Sequence, residues 1–271
     1  MKQFGSPPRI ESDGIVALEP RCTFQDLVLA EQVTDELAEI LEDHDFKEAL
    51  DADCLPVRKY ILLYGPSGCG KTSIAHALAA RLRIPLQMAS LAQIVQSHMG
   101  ESAKRVEALF LFAKRSNCVF LLDEFDSIAA ARMPAGQGAE SERNFTVNTV
   151  LTVMELHRPA GMLVACTNNI EHLDPAVLRR FDARIEIALP PRESLLRLAD
   201  KIIDGRFNLS ADECVGNATS PAIVEQRTIN FLRRRVIDRA RAHRKPPPKP
   251  RPPAELAHEA MDFIKQLDKA K

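Results

Sequence analysis

Residues Tyr60–Thr72, YILLYGPSGCGKT, constrain this chain more than any other stretch of it. A short apolar run ends in a glycine loop. Lys71 and Thr72 then open a segment in which Ile74, Ala75, Leu78, Ala79 and Leu82 recur at helical spacing. The run fits G-x-x-x-x-G-K-[ST] in the strand, loop and helix setting that gives such a match its meaning. Gly65, Gly68 and Gly70 permit positive φ and close backbone approach, so that successive N–H groups and a helix N-terminus can converge on phosphate oxygens. Lys71 supplies a point charge to the outer phosphates and Thr72 a hydroxyl to Mg²⁺. The expected triphosphate cradle is therefore Gly65, Pro66, Ser67, Gly68, Cys69, Gly70, Lys71, Thr72 and Ser73.

The rest of the chain reads as strands alternating with helices. Leu86–Ala89, Val119–Leu122, Met162–Cys166 and Arg184–Ala188 join Ile61–Leu63 as apolar strand segments, separated by helical patterns at Ser102–Lys114 and Ala139–Leu156. Such alternation predicts an α/β fold with a parallel five-stranded sheet and helices on both faces. A helical pattern over Phe24–Leu50 leads into the first strand. Beyond Pro190 and Pro191 the strand signals stop, and Arg192–Gly205 and Ile223–His243 read as a small helical domain. The expected boundaries are a flexible N-terminal tail over 1–20, a large α/β domain over 21–190 and a small helical lid over 191–245. A proline-rich linker with a final amphipathic helix fills 246–271.

Charge narrows the partners. The formal net charge is −1, yet Glu31–Asp53 holds ten acidic residues and Arg227–Arg251 ten basic ones. A basic block suits nucleic acid, an anionic surface or a protein, and a chain that carries its own acidic counterpart equally suits attraction between subunits. The six cysteines are dispersed with no C-x-x-C pair, which argues for free thiols in a reducing compartment. Cys69, in the phosphate loop beside Lys71, is a residue where a reactive thiol could act as a switch, although its expected part is backbone alone. No apolar run reaches membrane-spanning length and the N-terminus lacks a signal-peptide core, so the expected location is cytoplasmic.

A phosphate loop alone hydrolyses nothing. Val119-Phe-Leu-Leu-Asp123-Glu124 places two carboxylates at the carboxyl end of a strand, where open α/β sheets bind ligands. Asp123 is expected to hold Mg²⁺ with Thr72, and Glu124 to polarise the attacking water. At this point the chain, from about Thr23 to Ala242, resembles the AAA family of ATPases. The resemblance implies ATP as the nucleotide. In Val164-Ala-Cys-Thr-Asn168-Asn169 it implies a sensor strand whose Asn168 orients water and γ-phosphate. In Leu173-Asp-Pro-Ala-Val-Leu-Arg179-Arg180-Phe-Asp182 it implies arginines that reach into a neighbouring subunit's site. The two arginines are adjacent here, where many members separate them, so which one is the finger stays open. Gln96-Ser-His98-Met99-Gly100 resembles the family's central pore loop, with His98 and Met99 in the positions of an aromatic and an aliphatic residue.

These readings imply a homo-oligomeric ring, a hexamer by family habit, that uses ATP hydrolysis to remodel, disassemble or thread a protein substrate. The alternative is an ATP-gated scaffold or regulator of a partner enzyme such as a protease or nuclease. DNA or RNA remodelling has only the basic block in its favour, with little aromatic content for stacking on bases.

Overall fold

A computed structural model describes residues 9–11, 14–91, 101–130, 139–205 and 209–243. Seven strands form one sheet: β1 (Arg9–Glu11), β2 (Ile15–Leu18), β3 (Tyr60–Tyr64), β4 (Leu86–Ser90), β5 (Val119–Asp123), β6 (Met162–Thr167) and β7 (Ala183–Glu186). Their spatial order is β1-β2-β4-β5-β6-β3-β7. The pairs from β4 to β7 are all parallel, which gives the five-stranded core expected from the sequence. The described helices are α1 (Glu31–Asp45), α2 (Lys47–Ala52), α3 (Lys71–Leu82), α4 (Glu101–Arg115), α5 (Asp126–Ala129), α6 (Ala139–Leu156), α7 (Pro175–Leu178), α8 (Arg192–Ile203), α9 (Ala211–Val215) and α10 (Pro221–His243).

The central strands are apolar at consecutive positions because both of their faces are covered. Alternate residues serve opposite sides. Leu62, Phe120, Leu122, Leu163 and Ala165 pack with Val106, Leu109 and Phe110 of α4 and Val147 and Val150 of α6. Ile61, Leu63, Val119, Leu121 and Val164 pack with Ile74, Leu78 and Ala79 of α3 and with Leu37 and Ile40 of α1. Strand periodicity of two thus fills two cores from one sheet.

Several expectations change. Residues 1–20, read as a flexible tail, contain β1 and β2; β2 pairs antiparallel with β4, and β1 with β2. Four residues, Ile15-Val16-Ala17-Leu18, are too few to show a period, but the free edge of β4 offers them hydrogen-bond partners, and Gly14 at φ +77° supplies the bend before them. The single helical pattern over Phe24–Leu50 resolves into a 3₁₀ turn at Phe24–Asp26 followed by α1 and α2, and α9 adds a short helix where none was read. By packing the chain divides into two units, Met1–Phe231 and Leu232–Lys271, so most of the helical segment after residue 190 belongs with the sheet. The proline-rich linker and the final helix at 246–271 lie outside the described residues.

Candidate functional site

β3 delivers the chain into the phosphate loop. Gly65, Gly68 and Gly70 have φ of +141°, +77° and +105°. Gly65 is confined from without as well: a Cβ there would lie 2.2 Å from the Ile187 carbonyl oxygen, so only glycine lets the loop leave β3 alongside the end of β7. Gly70 then caps α3, whose first residue is Lys71. At this helix start unpaired N–H groups and the positive end of the helix dipole face the loop.

Lys71 is buried, and its ammonium donates to Gly65 O at 2.7 Å, Pro66 O at 2.9 Å and Asn168 Oδ1 at 2.8 Å. The last bond ties the phosphate loop to the residue after β6. Thr72 and Ser73 follow in the first turn of α3 and are partly buried. Cys69 is buried, with Lys71 Nζ 3.8 Å from its Sγ. The switch reading needed an accessible thiol, so its burial removes that option. Beneath the loop Cys166 is fully buried, and burial, reinforced by the charge of Asp123, pushes its thiol well above the usual range and keeps it neutral.

Asp123 ends β5 one strand from β6, and its Oδ1 accepts the Glu124 N–H at 2.9 Å. Glu124 is exposed and has φ +53°, a left-handed conformation rarely adopted by a side chain of this kind. The turn is held on its far side, where Phe125 N donates to Cys166 O at 2.9 Å. The conformation therefore turns the Glu124 backbone away from the strand line just past Asp123.

A linkage that sequence reading missed runs between Asp126, just past these carboxylates, and β6. Thr167, nearly fully buried, donates from Oγ1 to Asp126 Oδ1 at 2.7 Å and accepts the Asn169 N–H at 3.1 Å. Asn168 is thereby fixed between two anchored neighbours. The signal was present as a third acid in Asp123-Glu-Phe-Asp126, but only the adjacency of β5 and β6 gives that acid its partner.

The arginine segment is placed by its own caps. Asp174 Oδ1 accepts the Ala176 N–H at 2.7 Å, with Pro175 opening α7, and Asp174 N donates to Ala129 O at 2.9 Å. Arg179 and Arg180 follow on the surface. Arg180 pairs with Glu155 of α6 at 3.1 Å, whereas the Arg179 side chain makes no hydrogen bond or ion pair among the described residues. Asp182, quoted in the motif without a role, accepts the backbone N–H groups of Lys59 at 2.8 Å and Tyr60 at 2.9 Å and the Arg158 guanidinium at 3.0 Å. The arginine segment is thus tied to the start of the phosphate-loop strand. His98, Met99 and Gly100 lie outside the described residues.

Comparison with known proteins agrees with this geometry. The family model "ATPase family associated with various cellular activities (AAA)" matches residues 61–189. An uncharacterized AAA family ATPase, y4kL of Sinorhizobium fredii, is 30% identical over 235 residues, covering 86% of this chain and 71% of the relative. The chain belongs to the AAA family of ATPases. Two further relatives share it as one part of longer proteins. The ATP-dependent zinc metalloprotease FtsH of Corynebacterium glutamicum is 38% identical over 193 residues, covering 67% of this chain and 22% of the relative. The proteasome-activating nucleotidase of Thermococcus gammatolerans is 36% identical over 197 residues, covering 70% of this chain and 49% of the relative. No helix among the described residues of this AAA chain is long and apolar enough to cross a membrane.

The residues present fit the triphosphate and divalent cation that this family uses. The loop has three positive-φ glycines, one of which no side chain could replace, and Lys71, Thr72 and Asp123 lie at the carboxyl ends of β3 and β5.

Proposed function

We propose that this chain is one subunit of a homo-oligomeric ATPase that couples ATP hydrolysis to work on a protein substrate. The observation that carries the reading is the Lys71 to Asn168 bond at 2.8 Å, which joins the phosphate loop to the end of β6 beside the acids of β5. The N–H groups of Gly65–Thr72 and the Lys71 ammonium hold the phosphates. Thr72 and Asp123 hold Mg²⁺, which when bound neutralises charge developing on the phosphate oxygens. Glu124 accepts a proton from the attacking water, Asn168 orients that water, and Arg179 reaches the site of a neighbouring subunit. Arg179 takes that role over Arg180 because Arg180 is already held by Glu155. Within this reading residues 21–190 act as the nucleotide-binding portion and 191–245 as its helical lid, in which Ala222 N donates to Gly68 O of the phosphate loop at 3.2 Å. His98, Met99 and Gly100 line the channel of the ring, whose size we take as six.

A second reading, an ATP-gated regulator of a separate enzyme, has support in the name of the proteasome-activating nucleotidase to which the chain is similar. The deciding experiment measures ATPase rate per subunit against protein concentration, together with mass in ATP for Glu124→Gln. A rate that climbs with concentration beside a hexamer-sized species is expected; a concentration-independent rate from a monomer would overturn the ring. Replacement of His98 and Met99 by alanine then separates the readings, since a threading machine loses substrate processing and a gate retains partner activation.

A further inference from the structure

At the end of the sheet opposite the phosphate loop lies a cleft of 690 Å³, within the size range of small-ligand sites. It opens where β3, β5 and β6 begin, bounded by the α1–α2 corner at His44–Lys47, by Lys59, by the last turn of α3 at Ala80–Ile84, and by Asn117 and Gly161. Four cations line it, Lys47, Lys59, Arg81 and Arg83, against one carboxylate, Asp45. Asp45 is matched by Arg81, with Nη2 to Oδ2 at 2.6 Å, and that pair is neutral. Lys47, Lys59 and Arg83 remain without a carboxylate partner among the described residues, in a chain whose overall net charge is −1.

Lys59 is the informative one. It is half-buried, and its ammonium donates to Pro159 O at 2.9 Å and Ala160 O at 3.1 Å, which leaves one of three protons for another acceptor. Its affinity for a proton is depressed, first by burial and then by the charges of Lys47 and Arg158, with Asp51 and Asp182 opposing. Burial lowers the pKa of His44, outweighing the contact of its Nε2 with Arg58 O at 3.2 Å, which acts in the opposite direction. Leu82 and Ile84 supply apolar wall beside the cations, so an anion with an organic body suits the cleft better than a bare ion.

We propose that this cleft binds a small organic phosphate carrying at least two phosphoryl groups, held by Lys47, Lys59 and Arg83. Two or three cations lining one cleft, Lys59 among them half-buried, favour multiply charged phosphate over a single carboxylate. The site is separate from the nucleotide site: the five residues of β3 set it roughly 17 Å from the loop, and the proposal does not depend on hydrolysis.

The test is calorimetric titration of the full chain with inorganic tripolyphosphate in the absence of divalent cations. Three proteins are compared: the natural chain, the double variant Lys47→Gln with Arg83→Gln, and Lys71→Ala. Two classes of binding are expected in the natural chain. The double variant should weaken one class at least tenfold with its melting temperature unchanged, because both replaced side chains are exposed. Lys71→Ala should remove the other class alone. Unaltered binding by the double variant, or loss of all tripolyphosphate binding in Lys71→Ala, would overturn the proposal. Failure of the nucleotide reading shows separately, as Lys71→Ala retaining normal ATP affinity.

Discussion

Lys71 holds two loop carbonyls and Asn168 at once, so the side chain that defines the motif also organises the loop around itself. Lys71→Ala should therefore lower ATP affinity at least tenfold, because the point charge and the organised loop are lost together; equilibrium binding of a fluorescent nucleotide measures it. Glu124→Gln should leave that affinity within about twofold while turnover falls 10²-fold or more, the range for loss of a positioned base. A normal steady-state rate in this variant would remove Glu124 from the mechanism. Arg179→Ala should retain binding and lose about 10³-fold in rate, with Arg180→Ala milder because Arg180 is engaged by Glu155. Equal losses in the two variants would show that the Glu155 pair does not separate their roles. The chemistry of these side chains was legible in sequence because each residue type sits at fixed spacing within a short segment. The Thr167 to Asp126 bond was not, since its two ends lie 41 residues apart and meet only because β5 and β6 are neighbours.

At the scale of elements, two joints hold the site together. The first is the departure of the loop from β3 beside Ile187. Gly65→Ala would force a Cβ to 2.2 Å from a carbonyl oxygen, in a backbone conformation that side chains resist, so the loop must shift. Nucleotide affinity should fall well before global stability does, which a paired binding and melting measurement would reveal. The second joint is Asp182, whose carboxylate closes the N–H groups at the start of β3 and binds Arg158. Asp182→Ala leaves those groups without their acceptor and should cost about 1–3 kcal/mol in urea unfolding. An unchanged midpoint would mean that water replaces the carboxylate without penalty. The helices α3, α4 and α6 were readable from periodicity because each buries a stripe against the sheet. The break between α1 and α2 was not, since the acidic pattern runs through Phe46, where the chain turns with that side chain exposed.

Across the whole molecule, stability should depend on pH through three groups. His76 is buried and accepts the Arg21 N–H on Nδ1 at 3.3 Å, and burial lowers its pKa below the ordinary 6.5; burial lowers that of His44 as well. The unfolded chain then binds protons that the folded one refuses, so this contribution is complete above pH 6.5 and declines as pH falls below it. Asp43 acts lower on the scale: hydrogen bonding from Arg58 holds it below the ordinary 3.8, and its contribution is lost as pH falls through the folded value. Melting temperature should decline from pH 7.5 to 5.5, and His44→Gln with His76→Gln should flatten that decline; an unchanged slope would exclude both residues. Sequence alone determined the phosphate loop, the paired carboxylates, the parallel core and the family resemblance, because each is written in local spacing or in strand and helix periods. Tertiary structure decided that β1 and β2 extend the sheet, that Cys69 is buried, that Asp182 braces β3, and that cations from three separate segments share one cleft. Those outcomes depend on which strand edges and helix ends become neighbours, and a local pattern carries no record of that.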